Sequence, residues 1–294
     1  MKAIIFGANG QDGHYLKALL EQEGMEITGV SRGGDFLRVA LTDRKAVETL
    51  IKEKQPDYIF HLAADSTTRH EALWENHDTI ATGTLAILEA VKKQAPHSKV
   101  LISGSGLQFE NQNRPIKETD PFEARDAYSV SRIQSVYAAR YYRSLGLKVY
   151  VSYFFNHDSP LRSERHMSKK IAAAAKRIGA GSDERLAIGD MSVKKEWAFA
   201  GDIVKGILTL VQQDEIPEAI VGSGIGYTIE EWLQVCFDIA GKNWKDHVDQ
   251  QPGFKAEYSQ LVSDPTLIHS LGWKAETSFQ ALAKMMMADD SQTA

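Results

Sequence analysis

The stretch Lys2-Ala3-Ile4-Ile5-Phe6-Gly7-Ala8-Asn9-Gly10-Gln11-Asp12-Gly13 decides the fold of this chain. Its first five residues are mostly apolar and predict a buried strand. Glycines follow at positions 7, 10 and 13, and a helical pattern begins at His14. Glycine permits a tight turn and lets backbone N–H groups approach phosphate oxygens, while the helix N-terminus adds a partial positive charge. The stretch therefore predicts a dinucleotide pyrophosphate site.

Short apolar runs alternate with amphipathic segments through the first half of the chain. The pattern predicts strands at 2–6, 26–30, 58–62, 100–103 and 148–155, and helices at 14–22, 45–54, 84–93 and 127–144. Strands separated by helices form parallel βαβ units. The predicted fold class is therefore α/β, with a doubly wound parallel sheet of the Rossmann type.

This alternation ends near Asn156. Further helices are predicted at 168–178, 201–213, 230–240 and 280–287. We therefore expect a dinucleotide-binding Rossmann domain over 1–155. A smaller C-terminal α/β substrate lobe over 156–294 would return some segments to the sheet, and residues 289–294 would form a frayed tail.

The composition is that of an ordinary soluble globular protein of 294 residues. The net charge of −5 gives no attraction for nucleic acid or an anionic membrane. A single cysteine, Cys236, excludes an internal disulfide, and no Cys/His cluster suggests a metal site. Neither a signal peptide nor a long apolar span is visible, so we expect a cytoplasmic location.

The end of the second predicted strand indicates which dinucleotide binds. An acidic residue there holds the ribose 2′-hydroxyl of NAD, whereas a basic residue accepts the 2′-phosphate of NADP. This strand runs into Ser31 and Arg32, with no acid in that place. Arg32 either holds a 2′-phosphate through paired N–H groups or is a solvated loop residue. We predict NADP(H), with NAD as the alternative.

Five stretches carry a resemblance to a known family that runs nearly from end to end. They are 7–16 (GANGQDGHYL), 118–128 (ETDPFEARDAY), 155–171 (FNHDSPLRSERHMSKKI), 211–215 (VQQDE) and 264–273 (DPTLIHSLGW). The chain resembles the extended short-chain dehydrogenases/reductases that act on nucleotide sugars, namely the GDP-mannose 4,6-dehydratases and related GDP-4-keto-6-deoxy-sugar reductases. The resemblance implies a nucleotide-sugar substrate, with GDP as the expected nucleotide.

The resemblance also implies the residues that contact the cofactor. These are Gly7, Asn9, Gly10, Gln11, Asp12, Gly13, Ser31, Arg32, Leu41, Leu62, Ala63, Ala64, Tyr128, Arg132, Phe155 and His157. An aspartate on the adenine side in the family is Ala40 here, so we expect adenine to lie near Leu41 or Asp43.

In the family, Tyr128 is the catalytic tyrosine that moves a proton during hydride transfer at the sugar C4. An ordinary tyrosine ionises near pH 10, so it needs a nearby cation to act near neutral pH. The family's Tyr-x-x-x-Lys pair supplies that cation from one helical turn away. This sequence has Arg132 in place of the lysine, which keeps the charge but is a poor proton relay.

A second departure follows the strand at 100–103. Family dehydratases carry a hydroxyl residue there and, two positions later, a glutamate that removes the C5 proton. Gapless matching puts Gly104 and Gly106 at these places. Ser103 or Ser105 remains to supply the hydroxyl, and no side chain replaces the glutamate.

The expected substrate contacts are donors for a diphosphate, together with one acid that the family keeps. They are Asn156, Arg162, Lys169, Lys170, Lys195 and Glu257. Lys169 and Lys170 alternatively form a solvated helix face. A further arginine of the family falls at Phe254 or Lys255 here.

Three functions follow from these departures. The missing glutamate favours a 4-keto-sugar reductase or epimerase with redox chemistry at C4. The alternatives are a 4,6-dehydratase with another base, and a catalytically decayed dinucleotide-binding sensor or assembly protein.

The short segment 33–40 argues for a homodimer. The resemblance implies that the helices at 84–93 and 127–144 form the dimer interface.

Overall fold

The computed structural model describes residues 1–254 and 256–288. Its strands, numbered in chain order, are β1 (Lys2–Phe6), β2 (Glu26–Val30), β3 (Tyr58–His61), β4 (Lys99–Ser105), β5 (Lys148–Phe154), β6 (His157–Asp158), β7 (Leu186–Ile188), β8 (Lys194–Glu196), β9 (Ala198–Phe199), β10 (Glu218–Val221), β11 (Gly226–Thr228), β12 (Val248–Gln250) and β13 (Gln260–Leu261). Its helices are α1 (Gln11–Gln22), α2 (Arg44–Lys54), α3 (Leu73–Asn76), α4 (Gly83–Gln94), α5 (Ala127–Ser144), α6 (Met167–Gly179), α7 (Ala200–Gln212), α8 (Ile229–Ile239), α9 (Thr266–Ser270) and α10 (Phe279–Met287).

Six strands form one parallel sheet in the order β10-β5-β4-β3-β1-β2. The chain runs outward from β1 to β2 and then returns to place β3 on the other side of β1. This reversal leaves a crevice at the carboxyl ends of β1 and β3, which is where doubly wound sheets bind ligands. The predicted fold class is confirmed.

The strands are buried because helices cover both faces of the sheet. In β1, residues Ala3 to Phe6 are at most 1% exposed. Their side chains alternate between the core beneath α2, α4 and α5 and the core beneath α1 and α7. Apolar residues on both faces are typical of parallel sheets that are covered on both sides.

Helix boundaries differ from the predictions where glycine or polar residues blur the periodicity. Helix α1 begins at Gln11 instead of His14, because Gly10 is its N-cap and the helix follows the glycine loop directly. Before α4 the chain forms short helical turns over His70–Ala72, α3 and His77–Thr82. The sequence pattern did not predict these turns, because polar residues and the 73% exposed Trp74 interrupt any apolar stripe.

The C-terminal lobe has its own core, in which α6, α8 and α10 pack around aromatic side chains. The rings of Trp197 and Trp232 stack with centroids 4.6 Å apart, and Phe279 meets both edge to face. Strand β10 and helix α7 leave this lobe to join the main sheet and its flanking layer. The tail predicted at 289–294 lies outside the described residues.

Across residues 1–254 and 256–288, none of the helices combines the length and apolar character that crossing a bilayer requires.

Candidate active site

The glycine-rich loop forms a tight cradle at the carboxyl end of β1. Gly7 has a φ of +95°, and a Cβ there would lie 2.7 Å from the Ala63 nitrogen. A Cβ on Gly13 would lie 2.3 Å from the Gly7 carbonyl oxygen. The Gly10 N–H donates to that same oxygen at 3.0 Å. Side chains are thus excluded at positions 7 and 13, and the loop backbone can approach a pyrophosphate at the start of α1.

Two adjoining spaces open from this cradle. The adenosine cavity, of about 1040 Å³, is lined by the predicted cofactor residues Gly7, Asn9, Gly10, Ser31, Arg32, Leu41, Leu62, Ala63 and Ala64. The catalytic cleft, of about 430 Å³, is lined by the remaining ones, Gln11, Asp12, Gly13, Tyr128, Arg132, Phe155 and His157. The cradle borders both spaces, so the residues present fit the two halves of a dinucleotide.

Two of the arginines that line the adenosine cavity, Arg32 and Arg38, belong to the loop after β2. The Arg32 side chain is 76% exposed and pairs with Glu75 at 2.6 Å. An exposed ion pair of this kind contributes little, so a 2′-phosphate can compete for the guanidinium. Arg38, which the sequence analysis did not select, supplies a second cation in the same cavity. From the loop after β2, Arg32 and Arg38 line this cavity and Asp35 does not, whereas the acids that line it, Glu75 and Asp78, come from the segment before α4. The loop itself therefore brings basic groups to the place that distinguishes NADP from NAD.

Leu41, one of the two residues predicted to lie near adenine, lines the adenosine cavity. Asp43, the predicted alternative, does not line this cavity. Its carboxylate instead accepts the Ala46 N–H at 3.0 Å and caps α2. Of the two residues predicted to lie near adenine, Leu41 lines the cavity and Asp43 does not, so the position of adenine near Leu41 stays a prediction.

Tyr128 and Arg132 lie one turn apart near the start of α5. Asp126 fixes this turn because its carboxylate accepts the N–H groups of Tyr128 and Ser129, each at 2.8 Å. The Arg132 side chain is buried, and its guanidinium lies 4.9 Å from the centroid of the Tyr128 ring. It also donates to the Ser103 carbonyl and, at 2.7 Å, to the Ser103 hydroxyl. A fixed cation therefore lies beside the predicted catalytic tyrosine.

The two candidate hydroxyls behave differently. The Ser103 hydroxyl uses its one proton, because it donates to the His61 carbonyl at 2.8 Å, and it also accepts from Arg132. The Ser105 hydroxyl accepts the Leu107 N–H at 3.2 Å and lines the cleft. Both serines line the cleft, but Ser103 gives its hydroxyl proton to the His61 carbonyl, whereas the Ser105 hydroxyl accepts and keeps its proton for a further partner. We therefore expect Ser105 to be the better donor to a sugar oxygen, while Ser103 holds the arginine.

The glycines of this loop face neighbouring aromatic rings. A Cβ on Gly104 would lie 2.5 Å from Tyr153, and a Cβ on Gly106 would lie 2.8 Å from Phe155. The backbone therefore has no room for a larger side chain at either position without movement of a ring. A carboxylate side chain at position 106 would require the far end of the Phe155 ring to move.

A buried ion pair ties the cradle to the loop after β5. His157 lies 2.8 Å from the Asp12 carboxylate through Nε2 and 2.7 Å from the Phe155 carbonyl oxygen through Nδ1. Burial opposes both charges, but the mutual attraction and hydrogen bond prevail, lowering the pKa of Asp12 to about 2 and raising the pKa of His157. Both ring nitrogens face acceptors, so His157 is an imidazolium that donates twice.

The structure separates the predicted substrate residues into two groups. Asn156, Arg162 and Lys195 line the catalytic cleft. Lys169 instead donates to the Pro160 carbonyl at 3.0 Å, and Lys170 donates to the Ala187 carbonyl at 3.4 Å. These two lysines and the exposed Glu257 do not line the cleft.

Phe254 and Lys255 are the two positions at which the family's further arginine was expected. The ring of Phe254 is 55% exposed and covers Gly189. Lys255 lies outside the described residues.

Three polar side chains with possible roles in chemistry, Arg165, His166 and Tyr258, are among the cleft-lining residues that the sequence did not predict; the others are Ser66, Leu107, Phe154, Leu161, Ser163 and Leu261. Arg165 and His166 lie between β6 and α6, and Tyr258 lies in the loop before β13. Arg165 and His166 could have been found in the sequence, because they lie in the stretch 155–171 that carries the family resemblance and follows β5. Tyr258 carried no such signal, since the fold alone brings its ring to 5.8 Å from the Lys195 ammonium.

Comparisons with known proteins agree with this geometry. The family model "GDP-mannose 4,6 dehydratase" matches residues 30–286. The chain belongs to this family. GDP-mannose 4,6 dehydratase 2 of Arabidopsis thaliana is 33% identical, over 99% of this chain and 87% of that protein. A GDP-mannose 4,6-dehydratase of Vibrio cholerae is 27% identical, over 99% and 94%. Membership in the nucleotide-sugar branch of the extended short-chain dehydrogenases/reductases, an enzyme family, is confirmed.

Solved structures share the fold of this GDP-mannose 4,6-dehydratase family member. RMD from Pseudomonas aeruginosa, complexed with NADPH, has a TM-score of 0.86 at 23% identity, covering 100% of this chain and 99% of that chain. UDP-glucose 4-epimerase from Thermotoga maritima, with UDP-glucose, has a TM-score of 0.88 at 21% identity, with coverage of 100% and 99%.

Proposed function

We propose that this enzyme binds NADP(H) and carries out redox chemistry at C4 of a GDP-linked hexose, as a 4-keto-sugar reductase or epimerase. The observation that carries the proposal is the meeting of Tyr128 and Arg132 in a cleft beside the glycine cradle. When bound, the nicotinamide gives or takes the hydride. Tyr128 moves the proton at O4, and the buried Arg132 stabilises the phenolate form.

The cofactor proposal is supported at the outer end of the adenosine cavity. Arg32 and Arg38 both line it, and charge-assisted bonds to a phosphate are stronger than neutral ones. The Pseudomonas aeruginosa neighbour is complexed with NADPH, whereas the Thermus thermophilus UDP-glucose 4-epimerase neighbour is complexed with NAD. NAD remains the alternative.

The substrate proposal is supported by the donors in the catalytic cleft. Arg162 and Lys195 are cations, and Asn156 adds an amide, so a diphosphate can meet several donors at once. GDP is proposed as the nucleotide because the family model and the curated relatives carry GDP-mannose in their names.

A second candidate is 4,6-dehydration, which the family model and the Arabidopsis relative favour. Against it stands Gly106, where a Cβ would lie 2.8 Å from the Phe155 ring.

Two parallel incubations separate the candidates. NADPH with a GDP-4-keto-6-deoxyhexose should lose its nicotinamide absorbance, whereas GDP-mannose with NADP⁺ should yield no 4-keto product. The opposite pair of results would establish a dehydratase, and tight NADPH binding without turnover in either arm would indicate a binding protein.

A further inference from the structure

The catalytic cleft needs a proton acceptor if chemistry occurs at a carbon beside C4. Among the described residues that line it, the side chains that ordinarily accept a proton near neutral pH are Asp12, His157 and His166. Asp12 and His157 are bound to each other at 2.8 Å, and the second nitrogen of His157 faces a carbonyl. His166 is the one of the three that this ion pair does not engage.

His166 is held at the N-cap of α6, where the loop after β6 enters the helix. Its side chain is half-buried and lines the catalytic cleft. Arg165 donates through Nε to its Nε2 at 3.3 Å, so Nε2 carries the lone pair and Nδ1 carries the proton of the neutral ring. Arg165 is a largely exposed side chain at the border of both spaces, and such a long contact yields readily to an entering ligand.

The charges around His166 keep its imidazole neutral. Burial, and then the positive charges of Arg162 and Arg165, lower its pKa to about 4, while Asp158 and Asp65 oppose this shift. A bound diphosphate adds negative charge beside the two arginines and moves the pKa back toward the range of an efficient base. Substrate binding therefore increases the basicity of the ring.

We propose that His166 transfers a proton to and from a carbon that flanks the C4 carbonyl of the bound sugar. This rests on the proposed function and adds to its redox step an epimerase-type proton transfer at a neighbouring carbon. The Nε2 lone pair takes the proton, the C–H electron pair forms the enolate double bond, and the carbonyl π pair moves onto O4, where Tyr128 donates a hydrogen bond. Return of a proton to the same carbon restores the ketone, and no oxidant or reductant is consumed.

The test measures proton exchange separately from redox chemistry. The full chain with NADP⁺ is incubated with a GDP-linked 4-keto-6-deoxyhexose in D₂O, and NMR follows the protons on C3 and C5. A second assay follows NADPH oxidation by the same sugar. We expect the wild type to exchange one of these protons, and His166→Gln to slow the exchange by at least about 100-fold, far more than it slows NADPH oxidation.

His97→Gln is the matched control, because His97 is exposed and lies in the loop between α4 and β4. It should exchange at the wild-type rate. Exchange by His166→Gln at the wild-type rate, or a wild type that oxidises NADPH without exchange, would overturn the inference and leave the redox proposal standing. Loss of both readouts together in His166→Gln would assign the residue a structural role and also contradict the inference. A wild type that neither exchanges these protons nor oxidises NADPH with these sugars would contradict both the inference and the proposed function.

Discussion

Arg132 shows how a single substitution keeps a charge and changes its surroundings. Its guanidinium is held by the carbonyl and hydroxyl of Ser103 and covers the ring of Tyr128. A lysine ammonium has no planar face to lie over the ring in this way. Ser103 thus fixes the cation through its carbonyl and hydroxyl oxygens, and because its hydroxyl proton goes to the His61 carbonyl it has none left to donate to the sugar.

The first prediction concerns this cation. Arg132→Met should lower kcat for NADPH oxidation by at least about 100-fold, because the phenolate loses its counter-charge. Arg132→Lys should keep most of the activity. Arg177→Met, at an exposed arginine of α6 that pairs with Glu164 and Glu184, is the control and should match the wild type. Equal rates for Arg132→Met and Arg132→Lys would contradict the assignment.

The second prediction concerns the cradle. Gly13→Ala should abolish NADPH binding, because its Cβ would lie 2.3 Å from the Gly7 carbonyl oxygen. Gly24→Ala is the control, since Gly24 has a φ of +74° but open space around it. It carries backbone strain without touching the loop and should bind NADPH normally. Fluorescence titration measures both variants, and normal binding by Gly13→Ala would place the cofactor elsewhere.

The third prediction concerns the choice of dinucleotide. Replacing both Arg32 and Arg38 with alanine should weaken NADPH binding by about 10- to 100-fold and leave NADH binding nearly unchanged, since charged hydrogen bonds contribute about 1.5–3 kcal/mol. Lys52→Ala, on the exposed face of α2, removes a charge outside the cavity and should change neither titration. Equal losses for NADPH and NADH would show that the arginines do not meet the 2′-phosphate.

At the scale of elements, β3 ends in a buried histidine that makes the fold sensitive to acid. Burial, and then the charge of Arg132, lowers the pKa of His61 from 6.5 to about 4. In the unfolded chain this histidine titrates near 6.5. Its stabilising contribution is therefore fully present above pH 6.5 and is lost as the pH falls toward 4, by on the order of 3 kcal/mol.

The fourth prediction follows from the lowered pKa of His61. Between about pH 7 and pH 4.5, the free energy of unfolding of the wild type should fall more steeply than that of His61→Gln, which has no proton to gain there. Urea unfolding at a series of pH values measures the two slopes. Parallel slopes would show that His61 does not titrate on unfolding in this range.

The elements also show what the sequence could predict and where it failed. The strand and the glycine loop followed from residues 2–13, because the local steric demands of Gly7 and Gly13 leave few alternatives. The start of α1 did not, since the helix begins at Gln11 instead of the predicted His14. Lys169 was assigned to the diphosphate, but its ammonium reaches the Pro160 carbonyl instead. Whether a lysine on a helix faces a cleft depends on how that helix packs, which spacing along the chain does not reveal.

At the scale of the whole molecule, two adjacent helices leave large apolar side chains exposed. Leu85 on α4 is 49% exposed, and Tyr137 and Tyr141 on α5 are 58% and 59% exposed. Exposed apolar patches of this kind mark interfaces. We propose that they form the surface of the homodimer expected from the sequence.

The fifth prediction tests this surface. The double variant Leu85→Glu with Tyr141→Glu should shift the protein from dimer to monomer, measured by light scattering after gel filtration. Ile239→Glu, at a 42% exposed residue on α8, should remain a dimer. A monomeric wild type, or a dimeric double variant, would refute the assignment.

The most direct measurement of the central claim follows a single label. NADPH carrying deuterium at the transferable position of its nicotinamide is mixed with enzyme and a GDP-linked 4-keto-6-deoxyhexose, and the position of deuterium in the sugar is read by NMR. We predict deuterium at C4 with the wild type and its loss with Tyr128→Phe. A sugar that acquires no deuterium at C4, or the same transfer by both proteins, would contradict the assignment of Tyr128 and of the reaction.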